Sequence, residues 1–152
     1  RYQDTVKRNK WSAYSYEYIQ KEFEQFVRDD QAKIFLAKYQ DEYIAGSVFI
    51  YHNGEVFYHH SGTLSEFRKI PAAYLLQWES IKEAKKLGFS KYNFFGISKN
   101  DDKNHPWYGL TFFKKGFGGE EQRSIHSQDF PISYKYWFTY VYEYFERKSR
   151  GY

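Results

Sequence analysis

The chain has 152 residues, 24% of them aromatic, no cysteine and a formal net charge of +4. That length suits one domain around one hydrophobic core. The lack of cysteine excludes a disulfide scaffold, a thiolate metal site and a cysteine nucleophile, and no apolar run reaches the roughly 18–20 residues of a bilayer crossing. The chain starts at Arg1 and holds no methionine, so it reads as part of a longer protein. A mild positive charge favours anionic partners such as phosphates or tRNA. Most of the 17 Tyr and 15 Phe read as packing, with a minority available to line a groove.

Arg1 to Trp11 is polar and basic and reads as an entering linker or a strand from a preceding unit. From Ser15, Tyr16, Ile19, Phe23, Phe26 and Val27 recur at three- and four-residue steps, which predicts an amphipathic helix capped by Ser12 or Ser15 and ended by Asp29-Asp30. Ala32 to Tyr39 and Tyr43 to Tyr51 are predicted strands. Asn53-Gly54 is a two-residue hairpin signal, and Glu55 to His60 is the third strand of an antiparallel meander. Pro71 suits the first turn of a helix whose apolar positions include Tyr74, Leu75, Trp78 and Ile81, with Gly88 as its stop. Lys91 to Phe95 is a short strand, and Gly96 to Tyr108 a long loop. Gly109 to Lys115 predicts one or two helical turns stopped by Gly116, Gly119 to Ser127 another strand, and the stretch after Pro131 a C-terminal helix. An antiparallel meander, a helix and a returning strand make the core of a GNAT-like (acyl-CoA N-acyltransferase) α/β fold, a mixed and mostly antiparallel sheet flanked by helices.

His59-His60 are adjacent on a strand, so their side chains are expected on opposite faces. With His105 and His126 distant and no HxxxH spacing, a metal site is not expected. The acidic pairs Asp101-Asp102 and Glu120-Glu121 read as solvated charges. Gly116-Phe117-Gly118-Gly119 lacks the ending of a phosphate loop and reads as a helix stop, with bare backbone that would let a substrate approach. The lysine pair Lys114-Lys115 follows Phe112-Phe113 on a short turn. Neighbours on a helix diverge by about 100°, so one ammonium can enter a cleft while the other meets solvent. A cation near a carbonyl oxygen can steady the negative charge that develops in acyl transfer; a cation–π surface contact is the plainer reading.

Three blocks give these residues a context: Tyr74-Leu-Leu-Gln-Trp-Glu79 followed by Ile81 to Gly88, then Tyr92-Asn-Phe-Phe-Gly-Ile97, then His105-Pro-Trp-Tyr-Gly-Leu-Thr-Phe-Phe-Lys-Lys-Gly-Phe-Gly-Gly119. At this spacing they resemble the FemABX-type peptidoglycan bridge aminoacyltransferases, specifically the second of their two GNAT-like domains. The resemblance implies that residues 1–130 form that domain and that helix 131–152 packs on a first domain supplied by the rest of the protein. It implies transfer of an amino acid from aminoacyl-tRNA to the stem peptide of a peptidoglycan precursor, either lipid II or UDP-MurNAc-pentapeptide. The enzyme would be cytoplasmic, with a peripheral contact at the inner face of the membrane. It implies no metal and no CoA, with the charged tRNA as donor substrate. Phe113 and Lys114 take the catalytic positions, the lysine steadying the oxyanion of the tRNA ester. Arg68, Tyr74, Tyr108 and Lys115 take substrate-binding positions, with Lys115 at a less constant place in the motif and Tyr74 also readable as packing.

Elementary chemistry agrees with that implication. Aminoacyl esters are already activated, so positioning and oxyanion stabilisation can supply most of the rate. The sequence offers no obvious base for the attacking amine, which leaves substrate-assisted proton transfer. The basic Arg147-Lys148-Arg150 end suits a tRNA backbone or a membrane surface, and equally complements a helix dipole. Two other readings remain open here: a CoA-dependent GNAT N-acetyltransferase, although no Q/RxxGxG/A pyrophosphate loop precedes the Pro71 helix, and a non-catalytic RNA-binding module.

Overall fold

Strand β2, Glu42–His52, is the apolar spine of the sheet. The computed structural model describes residues 2–9, 14–98, 103–125 and 128–150; for Tyr2, Asp4, Arg8, Asn9, Ser149 and Arg150 it describes the backbone alone. The helices are α1 (Tyr2–Asn9), α2 (Tyr16–Arg28), α3 (Ala72–Lys86), α4 (Tyr108–Lys115) and α5 (Tyr136–Arg150). The strands are β1 (Ala32–Tyr39), β2, β3 (Glu55–Thr63) and β4 (Lys91–Asn93), lying in the order β1-β2-β3-β4. β1, β2 and β3 pair antiparallel and β4 joins β3 parallel, so the sheet is mixed and mostly antiparallel. The chain divides into two compact units, Arg1–Gly96 and Ile97–Tyr152.

In the first unit both faces of β2 are covered. Phe49, Ile50 and Tyr51 are consecutive and all buried, which requires cover on two sides because successive strand residues point opposite ways. On one side α3 brings Ala72 and Leu76 onto Ala37, Ile44 and Ala45. Polar pairs register it there: Tyr51 OH with Ser80 Oγ at 3.3 Å, and Lys33 Nζ with Glu83 Oε1 at 2.8 Å. On the other side α2 lays Ile19, Phe23 and Phe26 against Val48 and Ile50. Ser15 caps α2, its hydroxyl accepting from the Tyr18 N–H at 3.1 Å. The other candidate cap, Ser12, lies outside the described residues.

The turn signals act as their chemistry dictates. Asn53 and Gly54 have φ of 48° and 77°, the two left-handed residues of a tight hairpin. Gly88, at φ 81°, stops α3. Two bulges interrupt the ladders. Ala37 pairs with Ala45 and Lys38 with Tyr43, which leaves Ile44 over; Val48 pairs with His60 and Phe49 with Tyr58, which leaves His59 over. The parallel pairing of β3 with β4 lasts from Glu55↔Lys91 to Phe57↔Asn93, while β3 continues to Thr63. After Asn93 the chain turns away: the Asn93 side chain accepts from the Phe95 N–H at 2.7 Å, and Phe95 sits at φ 59°.

Two expectations are corrected. The amino-terminal segment, read as a linker or strand, contains helix α1. Its Val6 is buried, and its Thr5 hydroxyl accepts from the Thr63 N–H at 3.1 Å, which ties it to the end of β3. The predicted strand from Gly119 to Ser127 is absent over its described part, residues 119–125. A strand needs a hydrogen-bonded neighbour, and the second unit has no strand among its described residues. There Glu120 to Ile125 is exposed irregular chain.

Gly54→Ala places a Cβ in open space but at a left-handed φ. We expect it to lower stability by about 1 kcal/mol, read as a shift in the urea midpoint with an unchanged m-value.

Candidate active site

The second unit carries the lysine pair on α4. The turn into this helix is built by His105 and Pro106: the Tyr108 N–H donates to the His105 carbonyl at 2.9 Å, and the Trp107 N–H donates to His105 Nδ1 at 3.0 Å. Along α4, Thr111 and Lys114 stand three residues apart and share a face. Both are buried, Lys114 to 8% exposure. Thr111 ties α4 to the segment before the long loop, its Oγ1 accepting from the Ser98 N–H at 2.9 Å and bonding the Ser98 hydroxyl at 2.8 Å. Phe113 is half-buried and meets Phe117 edge-on, ring centroids 5.4 Å apart. The turn closes with Gly118 N–H on the Lys115 carbonyl at 3.0 Å and Gly118 at φ 74°.

The two lysines diverge as adjacent helical residues must. Lys114 goes inward, and Lys115 pairs with Glu121 at 2.5 Å over the exposed side of the turn. Burial pulls the Lys114 ammonium down to a pKa of about 8, because a dry site disfavours the charged form. At pH 7 such a group is still roughly nine-tenths protonated. The last turn of α4 also favours cations, through the negative end of its dipole. The result is a desolvated cation, able to act strongly on a nearby developing anion.

Of the other sequence-predicted positions, Tyr108 is half-buried in the first turn of α4. In the first unit, Arg68 is the exposed residue that follows the 3-10 turn Ser65–Phe67, and Tyr74 lies partly exposed in α3. Glu120 is exposed. Asp101, Asp102 and His126 lie outside the described residues.

One cluster escaped the sequence reading. His59 and His60 do not point to opposite faces. The bulge turns His59 to the side that His60 shares with Val48, beneath α2. There Glu22 Oε2 lies 2.9 Å from His60 Nε2, hydrogen-bonded to it, and 3.0 Å from His59 Nε2. The His59 nitrogen is buried, with Glu22 as its charge partner. Burial lowers the pKa of His60 despite the carboxylate beside it. Burial would by itself raise the Glu22 carboxyl; the hydrogen bond from His60 and the proximity of both imidazoles outweigh it and hold the group below its usual range. Only the sequence pair His59-His60 hinted at this site; the bulge that unites them has no sequence signature here.

Comparison with known proteins now bears on this geometry. The sequence model of the FemAB family matches residues 2–144. Aminoacyltransferase FemA of Staphylococcus aureus is 35% identical over 77 residues, covering 51% of this chain and 18% of that protein. The chain therefore matches about a fifth of the length of this curated relative. Among solved structures, FemX superposes with a TM-score of 0.70 at 17% identity, covering 77% of this chain and 46% of that one. Aminoglycoside N-acetyltransferase AAC(6')-Iy, solved in complex with CoA, superposes at 0.60 and 17% identity, covering 84% and 86%. These likenesses show the GNAT-like fold.

The burial of Lys114 carries a cost that a neutral side chain of similar shape would not. A drop from 10.5 to about 8 corresponds to about 3 kcal/mol at most. Since the folded value lies below the unfolded one, wild-type stability is penalised below pH 8 and recovers toward pH 10.5. Lys114→Met should therefore lose this rise in stability between about pH 8 and pH 10.5. Paired denaturant titrations at pH 7 and pH 10 measure it.

Proposed function

The chain belongs to the FemAB family, and on that premise we propose that it carries the donor-side chemistry of an aminoacyltransferase that builds peptidoglycan bridges. The donor is an aminoacyl-tRNA, taking the place that CoA holds in ordinary GNAT enzymes. The acceptor is the stem-peptide amine of lipid II or of UDP-MurNAc-pentapeptide. Residues 1–130 serve as a second GNAT-like domain, and helix 131–152 as a contact for another domain of the protein that carries this chain. The exposed Trp137, Phe138, Val141 and Phe145 on α5 favour that last assignment. The reaction runs at the cytoplasmic face of the membrane. No helix among the described residues is long and apolar enough to cross it; the contact there is proposed to be peripheral.

The observation that carries this reading is Lys114, a buried cation on the Phe-Lys-Lys-Gly turn. As the acceptor amine attacks, the ester carbonyl oxygen gains negative charge, and the Lys114 ammonium stabilises it. Collapse of the tetrahedral intermediate breaks the bond to the tRNA ribose oxygen, which takes up a proton, and leaves the new amide. Phe113 supports the lysine from the next position, with its ring held by Phe117. Arg68, Tyr74, Tyr108 and Lys115 are proposed to contact substrate.

In the protein that carries this chain, transfer of a labelled amino acid from charged tRNA to lipid II is expected to fall about 10²–10³-fold in Lys114→Ala. An ammonium acting as a cation works below its pKa, so activity should decline above about pH 8. Lys114→Arg should keep part of the activity and lose that declining limb, because arginine stays charged. Unchanged turnover in Lys114→Ala would sink the lysine assignment. Efficient transfer from acetyl-CoA with no need for tRNA would favour an ordinary N-acetyltransferase.

A further inference from the structure

We propose that Glu22, His59 and His60 form a binding site for one divalent transition-metal ion of the zinc type, seated between α2 and β3. The three side chains offer one carboxylate oxygen and two imidazole nitrogens, all within 4.8 Å of one another. Two ligands held about 2.0–2.1 Å from a tetrahedral zinc stand about 3.3 Å apart. The two nitrogen–oxygen separations of 3.0 and 2.9 Å need widen by only a few tenths of an ångström to accept the ion. The two imidazole nitrogens, within 4.8 Å of each other, would close toward the same spacing.

A second observation points the same way. His59 Nε2 is buried and has as its charge partner Glu22 Oε2, 3.0 Å away, an oxygen it shares with His60. One carboxylate oxygen thus serves two buried imidazoles, and a metal ion held by all three would give each nitrogen a bond of its own. The backbone has been shaped for this orientation: the bulge at His59 gives up a ladder pairing and brings two neighbouring imidazoles to one side. Bulges recur where a strand must re-aim a side chain. The surrounding cleft is walled by Ile19, Phe23, Phe26, Val48 and Ile50 and has room for about one water-sized sphere. It would accept an ion and exclude a larger ligand.

The donor set selects among metals. Two imidazoles and one carboxylate suit zinc and its neighbours, whereas magnesium and calcium prefer oxygen alone. Three protein ligands leave a fourth position for water. The ion would bridge α2 to the sheet and is independent of the acyl-transfer reading, since no step of that reaction uses it.

The test is calorimetric titration of the chelator-treated protein with Zn²⁺, with Mg²⁺ as control. One equivalent of Zn²⁺ should bind with micromolar affinity or better, raising the melting temperature, and Mg²⁺ should do neither. Co²⁺ should bind at the same site with visible d–d absorption. Glu22→Gln and His59→Ala should each weaken Zn²⁺ binding more than tenfold, while His52→Ala, at an exposed residue at the end of β2, should leave it intact. Circular dichroism of the metal-free variants establishes that they fold, and the wild-type melting shift stands without them. No saturable Zn²⁺ uptake by the wild type, or uptake unchanged in both Glu22→Gln and His59→Ala, overturns the proposal and leaves the three residues as an ion pair only.

Discussion

The structure depends on removing β2 from water on both faces. A strand with Phe49, Ile50 and Tyr51 buried in succession cannot tolerate a wet side. It obliges α2 and α3 to be amphipathic and to lie on opposite sides of the sheet. Their sequences comply, with Ile19, Phe23 and Phe26 on one helix and Ala72 and Leu76 on the other. Apolar burial supplies the drive but not the alignment. Alignment comes from directional contacts at the margins, such as Tyr51 with Ser80, Lys33 with Glu83 and Tyr92 with Gln77.

Features governed by local chemistry were legible in the sequence. Asn53-Gly54 and Gly88 mark left-handed backbone that few residues adopt, and Pro71 stands just before α3; strands and helices begin or end where those residues stand. The divergence of Lys114 and Lys115 followed from helical geometry alone. Features governed by neighbours were not legible. Helix α1 is seated by Val6 and Thr5 against a strand some 58 residues away, and nothing near it announces that contact. Residues 119–125 carry no alternation of apolar and polar positions, and their unit has no strand among its described residues for them to pair with. The pairing of His59 with His60 failed to read for the same reason: the bulge belongs to the β2–β3 ladder rather than to β3 alone. The reading of Lys114 as a site residue rested on the surrounding motif blocks, since composition and periodicity left it on the surface.

Lys114 sets stability against chemistry. A neutral residue would fill its site at lower cost, because the ammonium gives up hydration there. The same desolvation is what would make the charge effective against an oxyanion. The neighbouring Lys115 stays at the edge of solvent, where it pairs with Glu121. Adjacent lysines on one short helix thus occupy two electrostatic regimes, and the boundary between them is a rotation of about 100°.

The bulge at His59 also changes the parity of β3. In an unbroken strand Tyr58 and His60 would share a face. Here Tyr58 pairs with Phe49 and stacks on it at 5.8 Å toward α3, while His60 pairs with Val48 toward α2. Everything after the bulge is offset by one count from everything before it, so β3 carries two reading frames in a single strand. One residue gained or lost between Glu55 and Tyr58 would shift the first frame, and one between Ser61 and Thr63 the second. Deleting His59 would restore regular alternation, with Tyr58 toward α3 and His60 toward α2, and would leave one histidine in place of the pair. The position that makes this arrangement possible is therefore marked by its count along the chain as much as by the chemistry of its side chain.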